Sequence, residues 1–148
     1  MKIKIICQKD NFKEYSEMLE RGGFTISNDA DLIFKEVNYT QETIVGKYNN
    51  RYEIIPYQEI IYVESFGHEI ILHALDKEYS IKEKLFEIEG MYIDKGFIRI
   101  NKSCVVNKFQ IKEIKPTFNT RLELIMKNNA KLYVTRTYYN QFKEYIGF

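Results

Sequence analysis

The chain has 148 residues, of which 45% are hydrophobic and 15% aromatic, so it has enough apolar surface for a globular core and is not a disordered protein. Its longest apolar runs have the length of strands, and nothing in it is typical of an export signal, so we expect no membrane partner. The two cysteines, Cys7 and Cys104, fit a reducing cytoplasm better than a disulfide framework. We therefore expect a cytoplasmic protein with one domain and at most a small appendage.

The net charge of +1 conceals an asymmetry along the chain. Residues 95–148 contain 11 Lys and Arg against 3 Asp and Glu, whereas residues 1–94 contain 11 against 18. Because Lys and Arg neutralise phosphates, this basic C-terminal third indicates contact with a polyanion such as nucleic acid. The alternative is a basic face that meets only solvent.

The first 42 residues predict a small βαβ appendage. Three segments with apolar patterning occur in the order strand, helix, strand, at residues 2–7, 12–21 and 31–37. Asp10 and Asn11 are candidate helix caps, and Gly22-Gly23 ends the helix. Such a unit has too little core to be stable alone, so we expect it to dock on the rest of the chain or on a second copy. It is a candidate dimerisation or regulatory segment.

The remainder, residues 43–148, predicts a succession of short strands. Turn signals separate segments with strand patterning at residues 43–48, 52–55, 60–66, 69–75, 97–100, 109–115, 121–126 and 131–135. Asn49-Asn50 and Gly67-His68 are suited to hairpin turns, because asparagine and glycine tolerate a positive φ. Adjacent strands joined by such turns pair in an antiparallel manner.

Two helices are predicted among these strands. Ser80 and Glu83 match a capping box at the start of the first helix, which Gly90 would end. The second begins near Thr137 and buries Phe142 and its neighbours. The predicted fold class is therefore mainly β (α+β), with antiparallel sheets and two short helices after the βαβ appendage.

The segment 97–107, with the sequence Phe-Ile-Arg-Ile-Asn-Lys-Ser-Cys-Val-Val-Asn, is the most informative stretch. Alternation through Arg99 predicts a half-buried strand that breaks at Ser103 into a short turn, which Asn107 closes. A strand that leads into an exposed polar loop is how a rigid scaffold presents contact residues.

This segment resembles the signature of the LytTR DNA-binding domain family, which occurs in bacterial transcription regulators. The departures are Asn101 in place of the usual histidine, Lys102 in place of arginine and Cys104 in place of an aromatic residue. Two further stretches, 54–67 and 122–143, extend the resemblance over residues 43–148. Relatives often carry a phosphorylation receiver domain, for which 42 residues are too few. We therefore interpret Asp29 and Asp31 as turn residues and expect no phosphorelay control.

The resemblance implies that loops, rather than a helix, enter successive major grooves of double-stranded DNA. By position, the base-contacting residues are His68, Lys102 and Arg136. Short polar side chains and one arginine are the candidate contacts to the DNA backbone: Arg99, Asn101, Ser103, Thr135 and Thr137. Arg99 is also a candidate for a structural role beneath the loop. One such domain has a modest footprint, so we expect a homodimer on repeated half-sites.

No catalytic constellation is visible in the sequence. His68 and His73 lie five residues apart on a predicted strand, so they point to opposite faces and cannot bind one metal together. Neither a glycine-rich phosphate loop nor a Cys-x-x-Cys pair occurs. We expect no enzyme activity, no cofactor and no metal. Cys104 is either a buried inert thiol or a loop thiol whose oxidation would release the protein from DNA.

A second function class stays open, in which the chain is a protein-protein interaction module that dimerises or sequesters a regulator without binding DNA. The basic C-terminal third discriminates between the two classes. A DNA reader needs this positive charge and loses affinity steeply as salt rises, whereas an interaction module does not need it.

Overall fold

The computed structural model describes residues 1–119 and 121–148, which divide into an N-terminal unit, Met1–Gln41, and a C-terminal unit, Glu42–Phe148. The boundary lies one residue before the predicted one. Among the described residues, no helix has both the length and the apolar character needed to cross a membrane.

The N-terminal unit is a three-stranded parallel sheet with one helix. Its elements are β1 (Lys2–Ile6), α1 (Phe12–Arg21), β2 (Thr25–Ile26) and β3 (Leu32–Lys35). Its strand order is β2-β1-β3. The strand, helix and second strand occur where the sequence predicts them, and Gly22 follows the last helical residue. Strand β2 was missed because two residues are too short to show alternation.

The carboxylate of Glu36 collects three hydrogen bonds in this unit. It accepts from the backbone N–H of Gln8 at 2.9 Å, from Asn11 Nδ2 at 2.6 Å and from the Tyr15 hydroxyl at 3.0 Å. These donors, the Gln8 amide foremost, lower the pKa of Glu36 below its usual value. Asn11 occupies the predicted N-cap position of α1, but its side chain makes no capping hydrogen bond and its amide donates to Glu36 instead.

We expect this cluster to contribute a pH-dependent part of the N-terminal unit's stability. Because the folded pKa of Glu36 is depressed, the contribution is present above the usual value of 4.5 and is lost as the pH falls through the folded pKa. In an NMR titration the Gln8 amide shift should move with a midpoint below 4.5, and Glu36→Gln should abolish that movement. A midpoint at or above 4.5 would contradict the assignment.

The C-terminal unit contains a seven-stranded antiparallel sheet. Its strands are β4 (Thr43–Tyr48), β5 (Arg51–Pro56), β6 (Tyr62–Phe66), β7 (Glu69–His73), β8 (Glu78–Ile81), β9 (Phe97–Asn101) and β10 (Cys104–Asn107). They pair in the order β5-β4-β8-β7-β6-β10-β9. Asn49 and Asn50 have φ values of 47° and 62°, and Gly67 has a φ of 63°, as the two predicted hairpin turns require.

A second, three-stranded antiparallel sheet and two helices complete this unit. The elements are α2 (Leu85–Tyr92), β11 (Ile111–Thr117), β12 (Arg121–Met126), β13 (Lys131–Val134) and α3 (Arg136–Ile146). The sheet has the order β11-β12-β13. Helix α3 begins one residue before the predicted start. The predicted fold class, mainly β with antiparallel sheets and few short helices, is confirmed.

Strands β6, β9 and β10 are covered on both faces. Helix α2 packs against all three strands, and Tyr92 contacts Phe97 with ring centroids 5.1 Å apart. The opposite face joins the second sheet and α3 in one core that includes Ile98, Ile100 and Phe142. The prediction of a half-buried strand was therefore wrong, because the sequence does not reveal that a second layer covers the other face.

The segment Cys104–Asn107 is a fully buried strand and not the predicted turn. The turn is confined to Lys102 and Ser103. Asn107 is 3% exposed, donates to the Ile60 carbonyl at 3.0 Å and accepts from the Phe109 N–H at 3.1 Å. It therefore secures the chain after the strand.

The predicted start of the first C-terminal helix was also wrong. Ser80 lies in β8, where it pairs with Ile71 of β7 and Lys47 of β4. The helix begins at Leu85, and its first turn is closed by the Glu87 carboxylate, which accepts from the Lys84 N–H at 3.2 Å. Gly90 lies within this helix instead of ending it. Pairing with two neighbouring strands overrides the local capping motif.

Candidate nucleic-acid interface

Three turns lie at one end of the C-terminal unit. Strand β6 runs into the turn Gly67-His68, and β9 runs into the turn Lys102-Ser103, which leads back into β10. Because β6 and β10 are antiparallel, with Glu64 opposite Cys104, the end of β6 lies beside the start of β10. The third turn joins the end of β13 to the start of α3 at Thr135-Arg136. We call these three turns together the loop end.

Hydrogen bonds between distant parts of the chain connect these turns. The Ser65 N–H donates to the Ser103 carbonyl at 2.9 Å, which ties β6 to the Lys102-Ser103 turn. The Thr135 N–H donates to the Ile100 carbonyl at 3.1 Å, which ties the start of α3 to β9. The structure thus brings together the segments that carry His68, Lys102 and Arg136. All three of these side chains are exposed.

Asn101 links two of the turns through its side chain. Its Nδ2 donates to the Tyr133 carbonyl at 3.0 Å, and its Oδ1 accepts from the Ser103 N–H at 2.8 Å. The amide therefore fixes the Lys102-Ser103 turn against β13. Sequence reasoning missed Tyr133, because a partner that contributes only its backbone carbonyl leaves no signal in residue type.

Arg99 supports the same turn from below. Its guanidinium donates to the Lys102 carbonyl at 2.7 Å and to the Asn101 carbonyl at 3.3 Å, and it lies 3.4 Å from Glu89 Oε1. Its side chain is 21% exposed. The structural role that the sequence allowed for Arg99 is present, and its contact with a DNA phosphate stays a prediction.

Replacing Arg99 should loosen the Lys102-Ser103 turn. We expect Arg99→Ala to weaken DNA binding by about 10- to 150-fold, because a charge-assisted hydrogen bond contributes about 1.5–3 kcal/mol. If Arg99 acts by positioning, the dependence of log K on log[salt] should stay at the wild-type slope in a fluorescence anisotropy titration. A slope reduced by about one unit would instead assign Arg99 to a phosphate.

The first turn of α3 lies at the loop end, and its Tyr138 N–H donates to the Thr135 carbonyl at 2.9 Å. Thr135 occupies the N-cap position, yet its side chain makes no capping hydrogen bond, and the first turn contains no acidic residue. The side chains of Arg136 and Thr137 are exposed. The N–H groups of Arg136 and Thr137 at the helix start, together with the helix dipole, favour anions such as phosphate at this position.

The second histidine, His73, is buried and packs against neighbouring side chains of the sheet. His73 is 6% exposed, stacks on Tyr62 at a centroid distance of 4.0 Å and lies with Nε2 2.8 Å from Glu64 Oε1. His68 lies in the turn at the end of β6, away from this pair. The described residues include no group of three or more His, Cys, Asp or Glu that could hold a metal ion.

Cys104 lies beneath the loop end and is 4% exposed. Burial raises the pKa of its thiol, and the charge of Glu64 adds to that effect. Both the low exposure and the protonated state disfavour oxidation, which proceeds through an accessible thiolate. The structure therefore favours the inert thiol over the redox switch.

Comparison with known proteins identifies the fold. A protein-family model described as "LytTr DNA-binding domain" matches residues 50–147. A solved LytTr DNA-binding domain of a response regulator from Bacillus cereus superposes with a TM-score of 0.70 at 25% identity, covering 73% of this chain and 99% of that one.

Curated relatives point to the same family. The chain is 37% identical over 91 residues to the sensory transduction protein LytT of Bacillus subtilis, which covers 62% of the chain and 38% of LytT. It is 28% identical over 122 residues to the transcriptional regulatory protein LytR of Staphylococcus aureus, which covers 81% of the chain and 49% of LytR. The chain thus spans less than half the length of these relatives. With a match over residues 50–147, the chain belongs to the LytTR DNA-binding domain family.

Proposed function

We propose that this chain regulates transcription by binding specific double-stranded DNA, with loop residues that read bases in the major groove. The observation that supports this most is the joining of three turns at the loop end through the bonds Ser65–Ser103 and Thr135–Ile100. Contact residues held on rigid elements keep their relative geometry, which specific readout requires.

His68, Lys102 and Arg136 are the proposed base readers. The Arg136 guanidinium can donate two hydrogen bonds to guanine O6 and N7, and the Lys102 ammonium can donate to the same acceptors. The imidazole of His68 offers one donor and one acceptor when neutral. All three side chains are exposed, so no rearrangement of the core is needed for contact.

The proposed backbone contacts surround these readers. Ser103 and Thr137 are exposed. Thr135 occupies the N-cap position of α3 without a side-chain capping bond, and a helix N-terminus favours a phosphate. Arg99 and Asn101 already bond within the loop, so their proposed effect on DNA binding is mainly to hold the turn in place. Such contacts set register without reading sequence.

The wider proposal is a homodimer on repeated half-sites in the cytoplasm. Pairing two copies raises specificity by effective concentration, and residues 1–42 are the proposed dimerisation or regulatory segment. Cys7 and Cys104 are both free thiols, in keeping with a reducing compartment. We propose no catalytic activity and no cofactor for this chain.

Selection from a randomised duplex pool at two salt concentrations tests this function. We expect a recurring motif to be recovered, with less bound DNA at the higher salt because phosphate contacts release counterions. Two copies of the motif at a fixed spacing would support the dimer. Weak, featureless binding would overturn the proposal and favour the protein-protein interaction module.

A further inference from the structure

The opposite end of the C-terminal unit carries a second surface that DNA reading does not use. A groove of about 770 Å³ lies where β9 begins and β10 ends. We call it the distal groove, and its lining includes Ile93, Asp94, Lys95, Lys108, Phe109, Lys127 and Tyr145.

The distal groove is separated from the loop end by the length of the strands. Strand β9 starts at Phe97 beside the groove and reaches Asn101 at the loop end, a rise of about 13 Å at about 3.3 Å per residue. Helix α3 starts with Arg136 at the loop end and reaches Tyr145 in the groove, a rise of about 14 Å. A duplex seated on the loop end therefore leaves the distal groove open.

Phe109 is an exposed aromatic residue held in a fixed position. Its side chain is 64% exposed, although its backbone N–H is bound by Asn107 and the neighbouring Lys108 N–H donates to the Gly96 carbonyl at 2.8 Å. Gly96 has a φ of +98°, and a Cβ there would come within 2.7 Å of the Phe109 ring. The ring thus rests on the glycine backbone, where a larger residue does not fit. A large apolar side chain with little freedom to lose is suited to anchor a partner.

The charge around Phe109 is positive on balance, because the groove is lined by three lysines, Lys95, Lys108 and Lys127, and one carboxylate, Asp94. The Lys108 ammonium lies 5.2 Å from the Phe109 ring centroid and 5.1 Å from that of Tyr145. Within the described part of the chain, Lys95, Lys108 and Lys127 form no ion pair with a carboxylate. Carboxylates of a partner would find three unpaired ammonium groups beside an apolar anchor.

From these features we propose that the distal groove binds an acidic peptide segment of a partner protein. An aromatic or large aliphatic residue of that segment packs on Phe109, and its carboxylates lie beside Lys108 and Lys127. The interaction is compatible with bound DNA, so the chain can connect its DNA site to a second protein.

The test is display selection of random dodecapeptides on the free chain, so its result does not depend on DNA binding. We expect enrichment of acidic peptides with one aromatic or large aliphatic residue. A synthetic representative should lose at least tenfold in affinity with Phe109→Ala and with Lys108→Glu. Phe118→Ala, which removes a 92% exposed aromatic residue in the turn between β11 and β12, should change affinity by less than twofold.

Four results would overturn the proposal. The first is the absence of acidic enrichment, and the second is unchanged peptide affinity in Phe109→Ala. The third is displacement of the peptide by a duplex that binds the loop end. The fourth is a dimer of wild type that dissociates in Phe109→Ala, as measured by sedimentation. Such a dimer would place a second copy of the chain in the groove instead of the peptide.

Discussion

Arg136→Ala should relax base preference at one position of the bound DNA motif and weaken binding to the matched site by about 5- to 150-fold. This range corresponds to about 1–3 kcal/mol for a bidentate contact with guanine. Arg136 is exposed at the first residue of α3, and the Thr135 N–H bond to Ile100 fixes its backbone against β9. The measurement is selection of randomised duplexes with the variant, followed by titration of the matched and singly mismatched sites.

Two matched variants distinguish base recognition by Arg136 from the general attraction of its positive charge to DNA. Arg136→Lys keeps the cation but not the planar fork, so it should lose discrimination at that position while keeping the wild-type salt dependence. Arg51→Ala removes an exposed arginine from β5, the strand at the far edge of the sheet from β9, and should leave the motif unchanged. Equal base preferences in wild type and Arg136→Ala would exclude Arg136 as a base reader.

Local chemistry explains which parts of the fold were accessible to sequence reasoning. The Asn49-Asn50 turn was predictable because it needs two residues that tolerate positive φ, and both adopt it. The burial of Leu122, Leu124 and Met126 was predictable because alternate residues of a strand lie on one face, and these residues are at most 1% exposed. In each case the signal and the structure lie within a few neighbouring residues.

Errors arose where distant segments decide the outcome. Ser80 and Glu83 carry a helix-start motif, but pairing of Ser80 with β7 and β4 makes that segment a strand. Cys104–Asn107 was expected to be a turn, although Val105 and Val106 are fully buried between two layers. A single sequence does not show which strands become neighbours.

In the candidate site, too, features set by neighbouring residues were predictable and features set by distant segments were not. The sequence and the family resemblance indicated Lys102 and Arg136 as contact residues. The bonds that join their turns could not be predicted, since Asn101 reaches a backbone carbonyl 32 positions away. The chemistry of a contact residue is local, whereas the geometry that makes several of them one surface is not.

Phe142→Ala should have the largest effect on stability, because Phe142 is fully buried in the core that joins α3 to both sheets. Removing such a ring costs about 3–5 kcal/mol, against a total stability of about 5–15 kcal/mol for a typical domain. The same core includes Ile100, whose carbonyl accepts from the Thr135 N–H. Destabilising this core therefore also lowers the fraction of molecules in which the loop end is assembled. Urea unfolding followed by circular dichroism measures the change.

Two control variants on α3 distinguish the loss of core packing from a change in helix propensity as the cause of the lower stability. Gln141→Ala alters the exposed neighbour of Phe142 and should change the free energy of unfolding by less than about 0.5 kcal/mol. Phe142→Leu keeps much of the apolar volume and should fall between wild type and Phe142→Ala. Matched duplex should raise the melting temperature of Phe142→Ala, since a ligand that binds only the folded chain shifts the equilibrium towards it. A loss below about 1 kcal/mol in Phe142→Ala would show that α3 is not held through this core.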